Sequence, residues 1–484
     1  MAAPRATRMN IPLRRVAVAC ALMIFALMGK VSEIQTLRAN SLADDPRNLR
    51  AMIDRFAHPR GDILLRDNTV LATGTRQAGM FRYRRVYPGG PMYAPVTGHL
   101  SIYGATGVER AEDEVLSGAD PKVRVRTLVG GQAEQGASVR LTIDSRAQRA
   151  AYEGLRATGH KGAAVAVDPS TGAILALASY PSYDPNVYAT FDGEALADTD
   201  ERLRADATRP LLNRATEHTY PPGSAFKIVT TAAALGTGNI SPETSVAAPT
   251  RLTLPGTTTL LGNAGGEACG NGRPTLAVAF RLSCNTAFAV LGLQLGQRVL
   301  RAQAEAFGFN GAGPGIALPL ARSVYPVRLD AAQTAMSAIG QFDVRATPFE
   351  ITMIAAAVAS RGVIMRPYLV AEVVLRDGTV VSVTDPESMP RTISRDVADQ
   401  LTAMMVTVTG PGGTGSAAAL PGIDVAAKTG TAENAAGAAD HAVFTAFAPA
   451  DEPRVAVGVV VENGGFGGDV AAPIARDIMK AVLD

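Results

Sequence analysis

Apolar residues fall along the chain in three successive patterns. Near the start, residues 16–29 (VAVACALMIFALMG) form a run of fourteen positions without a charge. Between 41 and 140 the apolar runs are short and broken by turn residues. GDILLRDNTVLATG (61–74) reads as two runs around an Asp-Asn turn, and VRVRTLV (123–129) alternates with period two, which predicts a strand. GGQAEQGAS (130–138) reads as a linker. Beyond it the runs lengthen. VRLTIDSRAQRAAYEGL predicts a strand leading into a helix, and GAAVAVDPSTGAILALAS (162–179) predicts a hairpin around a Pro-Ser-Thr-Gly turn. Ala-rich helical stretches follow at 225–235, 275–307, 348–360 and 396–408. VAAKTGTAE, AVFTAFAP and RVAVGVVVEN read as three strands, and PIARDIMKAVL as a closing amphipathic helix. A hairpin, a helical block, strands and a terminal helix describe an α/β (α+β) domain, its antiparallel sheet sandwiched by helices. The expected divisions are 1–40 for a tail and apolar segment, 41–140 for a small β-rich module, and 141–484 for the large domain.

Charge sharpens the first segment. Arg5, Arg8, Arg14 and Arg15 precede the apolar run and Lys30 follows it, the layout of a secretory signal or signal anchor. Fourteen residues rise only about 21 Å as a helix, short of a hydrocarbon core of about 30 Å. Ile11–Leu13, Val31 and snorkelling basic side chains extend it. No small-x-small cleavage site follows, which favours an uncleaved anchor with its basic end in the cytoplasm; a buried helix of a soluble domain is the alternative. With 484 residues the chain exceeds a single core, and 47% hydrophobic content excludes a disordered polymer. A net charge of +2 argues against a nucleic-acid partner. Cys20 lies in the apolar run, whereas Cys269 and Cys284 fall on the exported side, where disulfides persist. A bridge between them would contribute about 3 kcal/mol in the chain-entropy description; two buried, unpaired thiols are the other possibility.

Of 46 basic residues only six are lysine, at 30, 122, 161, 227, 428 and 480. Two of them sit in chemically suggestive settings. Tyr220-Pro-Pro-Gly-Ser-Ala-Phe-Lys opens an apolar helix, with Ser224 near its N-terminus and Lys227 one turn later on the same face. A serine hydroxyl is a weak nucleophile until a base removes its proton. A lysine among Phe226, Ile228 and Val229 is placed to lose its charge by desolvation. Ser283-Cys284-Asn285 follows inside a helical stretch; Ser283 suits a proton relay, and the Asn285 amide suits orientation of a substrate amide. Lys428-Thr429-Gly430-Thr431 lies on an expected strand. Lys428 supplies positive charge, Thr429 and Thr431 supply hydroxyls for a carboxylate, and Gly430 permits close approach of a substrate backbone. Each motif alone is weak, and together in this order they form the Ser-x-x-Lys, Ser-x-Asn, Lys-Thr-Gly set. Five scattered histidines offer no metal-binding spacing, so no metal or other cofactor is expected. Gly311-Ala-Gly313-Pro-Gly315 reads as a turn.

With these motifs the chain resembles the class B penicillin-binding proteins, the monofunctional peptidoglycan DD-transpeptidases, and looks most like their actinobacterial type. The resemblance extends to Pro59-Arg60-Gly61-Asp62, Gly107-Val108-Glu109, Asp168-Pro169-Ser170-Thr171-Gly172 and His441-Ala442-Val443-Phe444. The family commonly carries Trp where this chain has Val443. The resemblance implies that Ser224 attacks the penultimate D-Ala carbonyl of a stem peptide, with Lys227 as base and Ser283 and Lys428 in the proton relay. It further implies an oxyanion hole from the N–H groups of Ser224 and Thr431, and acylation by β-lactams. Residues 41–140 would be a non-catalytic pedestal, and partners would include a glycosyltransferase and other division or elongation proteins at the membrane. A DD-carboxypeptidase, a β-lactamase or β-lactam sensor of the same fold, and a silent scaffold of a division complex remain open at this point.

Overall fold

The computed structural model describes residues 10–38, 53–129, 135–433 and 438–484. It divides into two compact units, the smaller made of the described residues up to His58 with Gln77–Arg82. In that unit Asn10–Thr36 is one continuous helix. Its portion Ile11–Thr36 has 26 residues, with an 18-residue stretch of mean hydropathy 1.9, long and apolar enough to cross a membrane. The helix runs through Arg14 and Arg15 and past Lys30, so at 1.5 Å per residue it reaches about 39 Å, beyond the shortfall of the bare apolar run. The basic residues Arg5 and Arg8 lie outside the described residues.

The larger unit is centred on a five-stranded antiparallel sheet of β1 (Gly162–Val167), β2 (Ile174–Tyr180), β3 (Ala426–Ala432), β4 (His441–Ala448) and β5 (Val455–Val461), in the order β3-β4-β5-β1-β2. Helices α1 (Ser145–Ala157), α2 (Lys227–Gly236), α3 (Leu276–Arg281), α4 (Asn285–Leu295), α5 (Gln297–Ala306), α6 (Pro348–Ala359), α7 (Arg395–Thr409) and α8 (Gly467–Leu483) surround it. α1 and α8 cover one face and α6 the other. A Cβ on Gly458 would come within 2.4 Å of Thr352 Oγ1 on α6, while the opposite side at Gly162 faces Leu155 of α1. Sandwiching explains why GAAVAV and VAVGVVV read as unbroken apolar runs, since both faces of β1 and β5 are buried. At the β1–β2 turn, Asp168 accepts from Ser170 N (2.8 Å) and Ser170 Oγ (2.6 Å), and Gly172 takes φ +86° against the Arg366 carbonyl.

Two expectations fail for local reasons. Val123–Val129 belongs to a helix, Pro121–Val129, not a strand. Asp120 accepts from the N–H groups of Lys122 and Val123, and Pro121 sits in the first turn, so a capped helix start overrides the period-two alternation. The stretch 275–307 is three helices: Ser283, at φ +58°, breaks α3 from α4, and Gly296, at φ +75°, breaks α4 from α5. The linker expected at 130–138 falls partly outside the described residues. Its end is packed, with Gly136 against Leu116 O and Ser138 opening a strand.

Residues 59–141 contribute Ile63–Leu64, Val70–Arg76, Tyr83–Val86 and Ser138–Leu141 to a six-stranded sheet, and Val370–Val374 and Val380–Val383 complete it from far along the chain. Beside it lies a buried charge cluster. Glu109 accepts from Arg60 Nε (2.7 Å), Arg85 Nε (2.5 Å) and Tyr87 OH (3.2 Å). Burial pushes the Glu109 carboxyl up, but Arg85 and Arg60 outweigh it and hold the group below the usual carboxylate range. Removing one member leaves uncompensated buried charge. Glu109→Ala is therefore expected to cost about 3–5 kcal/mol, read as a lowered midpoint in urea unfolding; an unchanged midpoint would remove the cluster from any role in stability.

Candidate active site

Pro221, Pro222 and Gly223 bring the chain in extended and then turn it sharply. Tyr220 pairs with Ala346 through two 2.8 Å backbone bonds, and its hydroxyl donates to Glu462 Oε1 (2.8 Å), which also receives Arg214 Nε (2.9 Å). Arg214 and Glu462, which hold Tyr220 in place, lie in no motif that the sequence offers. Gly223, at φ +52°, lies so close to β3 that a Cβ would sit 2.6 Å from Thr431 O. Gly223–Phe226 is a 3₁₀ turn that runs into α2, an arrangement in which residues three apart eclipse. Ser224 is half-buried at its mouth, and Lys227 is 0% exposed beneath it.

The hydrogen bonds of Lys227 Nζ run to Ser283 O (2.7 Å), Asn285 Oδ1 (2.8 Å) and Ser283 Oγ (3.3 Å). Lys428 Nζ donates to the same Ser283 Oγ (2.8 Å) and to Thr429 O (2.9 Å). One hydroxyl thus stands between two buried amines, and among the described residues neither amine has a carboxylate partner. The Phe288 ring lies 5.3 Å from Lys227 Nζ and the Phe280 ring 5.6 Å from Lys428 Nζ. Desolvation, then the nearby Lys428 charge, hold the Lys227 ammonium well below the usual lysine range; desolvation lowers Lys428 to about 7. The backbone break at Ser283 is what aims its hydroxyl at both amines, since a continuous helix would leave Asn285 and Ser283 on different faces.

Four placements refine the sequence reading. Asn285 turns its amide oxygen to Lys227, and its Nδ2 donates to Gly262 O at 3.4 Å. A Cβ on Gly430 would meet Val443 Cβ at 2.9 Å and Pro222 O at 3.1 Å, so the close approach there is to the protein itself. Thr429 Oγ1 bonds Thr414 Oγ1 (2.7 Å), a residue with no motif around it that sequence reasoning passed over. Thr431 is half-exposed, on the edge strand beside Ser224. Cys269 and Cys284 form a disulfide with Cα atoms 6.0 Å apart, tying the 269–284 loop to the residue between Ser283 and Asn285. Cys20 is free and exposed.

A buried Ser-x-x-Lys turn, a shared serine hydroxyl and an edge strand with Lys-Thr-Gly together make a serine acyl-transfer site of the penicillin-binding class. The family models agree: residues 162–480 match the penicillin binding protein transpeptidase domain, and residues 60–139 match the penicillin binding protein A dimerisation domain. The chain belongs to the class B penicillin-binding protein transpeptidases, of the PbpA type. It is 44% identical to the peptidoglycan D,D-transpeptidase PbpA of Mycolicibacterium smegmatis over 98% of this chain and 99% of that one. The Mycobacterium tuberculosis counterpart is 42% identical over 98% of this chain and 99% of its own length. The solved ceftriaxone acyl-enzyme of penicillin-binding protein A from M. tuberculosis superposes with a TM-score of 0.85 at 40% identity, covering 89% of this chain and all of that one. Its penicillin G acyl-enzyme gives 0.83 at 41% identity, covering 88% and 100%.

Proposed function

We propose that this chain is a peptidoglycan D,D-transpeptidase that works through an acyl-enzyme on Ser224, and that β-lactams acylate the same hydroxyl. The observation that carries the reading is the shared Ser283 hydroxyl, bonded at once to Lys227 and Lys428, with Lys227 one turn after the half-exposed Ser224. Lys227, its ammonium form disfavoured by burial, takes the Ser224 proton as Oγ attacks the penultimate D-Ala carbonyl. The resulting oxyanion faces the N–H groups of Ser224 and Thr431. Collapse breaks the C–N bond. Ser283 passes a proton to the departing D-alanine nitrogen, and Lys428 makes good the proton on Ser283. In the second half the amine of a neighbouring stem peptide attacks the ester, its proton returns through the relay, and Ser224 is regenerated. The substrate carboxylate is held by the Thr429 and Thr431 hydroxyls near the Lys428 charge, and the open edge of β3 offers its backbone to an extended peptide.

The wider organisation follows the same reading. Residues 1–40 form a tail and single-pass anchor, 41–140 a pedestal without a catalytic set, and 141–484 the catalytic domain outside the plasma membrane. The 26-residue apolar helix supports the anchor. The pedestal sheet, which recruits Val370–Val383, supports a spacing and docking role toward a glycosyltransferase and other division or elongation proteins. The test is to trap the full chain with a labelled penicillin, digest it and map the adduct. The expected adduct is on the peptide containing Ser224. An adduct on any other residue, or none, would sink the assignment.

A further inference from the structure

A cavity lies between the end of α5, the start of α6 and the paired strands Val363–Met365 and Ser388–Arg391, and Ser224 is not in its lining. Its volume is about 330 Å³, within the range of small-molecule sites. Phe307, Phe349, Met353 and Ile364 give it apolar, buried walls. Two polar atoms break that lining. Glu350 stands in the first turn of α6, where its own N–H donates to Thr347 Oγ1 (3.0 Å). Its carboxylate oxygen Oε1 is buried and, among the described residues, has no hydrogen-bond partner. Thr392 Oγ1, which lines the same cavity, is in the same condition. Opposite the carboxyl is bare backbone: a Cβ on Gly308 would come 3.0 Å from Oε1.

At the rim, Arg391 Nη1 and the Glu305 carboxylate are bonded outside the cavity. Arg391 donates to the carbonyls of Arg361 (2.8 Å) and Ile393 (3.1 Å), and Glu305 receives Arg301 (2.8 Å) and Asn310 (3.3 Å). Burial pushes the Glu350 carboxyl up to about 8. A buried acceptor without a donor is costly, and two of them in one apolar cavity form a recognition pattern rather than a packing solution.

We propose that this cavity binds a small organic cation, a primary ammonium head on an apolar or aromatic body. An ammonium carries three donors and no acceptor, which matches two orphaned acceptors. Burial leaves the Glu350 carboxyl protonated in the empty cavity at neutral pH; an entering ammonium favours the ionised form, and the charge-assisted bond it then makes outweighs what a neutral hydroxyl would gain. The Phe307 and Phe349 rings suit both the apolar body and the positive head.

Calorimetry on the full chain in zwitterionic lipid nanodiscs, with empty discs subtracted, tests this using phenethylammonium, 2-phenylethanol and phenylacetate. The amine is expected to bind one to one, at least about tenfold tighter than either the alcohol or the acid. Glu350→Gln is expected to weaken the amine at least about tenfold, and Ala312→Trp, at the exposed rim, to block it. Penicillin labelling of Ser224 checks that each variant is folded. Equal affinity for alcohol and amine in the wild type, no heat from any of the three, or an unaltered amine affinity in Glu350→Gln overturns the proposal. If Glu350→Gln does not fold, the wild-type contrast and Ala312→Trp decide it.

Discussion

The Ser224→Ala variant is expected to form no covalent adduct with penicillin and to lose transpeptidation by about 10⁵-fold or more. The size of the loss follows from the nature of the intermediate. Without Oγ there is no ester, and water offers no substitute that the buried Lys227 amine is placed to activate. The fold should survive, because Ser224 is half-exposed in a 3₁₀ turn whose geometry is set by Gly223 against Thr431 O and by the Gly223 N–Gly340 O bond (3.0 Å). Reversible binding should survive as well, since the hydroxyls of Thr429 and Thr431 and the Lys428 amine are untouched. The measurement is gel fluorescence of a labelled penicillin together with the variant's thermal midpoint. A labelled band in a correctly folded variant would move the nucleophile elsewhere.

Much of this site was legible from residue type and spacing because its chemistry is local. Ser224 and Lys227 share one turn, and Lys428 to Thr431 share one strand, so short-range geometry places them. The β1–β2 hairpin was legible for the same reason, its turn being built by Asp168 and Gly172 within six residues. What escaped depends on partners distant in sequence. The positive φ at Ser283 has no signature, because Ser283 and its neighbours read as a continuous helix until Cys284 N bonds back to Ala279 O (2.9 Å). Gly430 looked like room for substrate, yet its missing Cβ accommodates Val443 and Pro222. Val370–Val383 joins the pedestal sheet some 230 residues after Ser138–Leu141, through pairings such as Val373 with Val139. In Val123–Val129 the local alternation misled, since the Asp120 cap and Pro121 decide the helix before side-chain pattern does.

The site also keeps two amines where physical chemistry disfavours both as ammonium ions. Lys227 and Lys428 are each 0% exposed and meet at a single hydroxyl. An ion pair would restore their charge, so the lack of a carboxylate beside them among the described residues supports the proposed role of Lys227 as base. Chain-wide preference for arginine makes the point sharper, because a guanidinium stays protonated at any relevant pH.

Lys227→Arg is therefore expected to slow penicillin acylation by about 10³-fold although the formal charge is retained. Two effects act in the same direction. Arginine has no lone pair to accept the Ser224 proton near neutral pH. Its planar fork also cannot reproduce the three bonds that Lys227 Nζ makes to Ser283 O, Ser283 Oγ and Asn285 Oδ1. The pH profile separates them. In the wild type, burial and the Lys428 charge lower the Lys227 pKa, so the neutral base accumulates as pH rises and the acylation rate climbs on a limb well below the ordinary lysine range. In the proposed relay Lys428 is the proton donor to Ser283, and with its pKa lowered to about 7 the rate should fall again above that pH. In Lys227→Arg the rising limb should vanish, since nothing at position 227 titrates, while a purely positional defect would lower the rate and leave that limb in place. Stopped-flow acylation of both proteins across the neutral range reads the difference directly, and near wild-type rates in the arginine variant would remove Lys227 from the role of base.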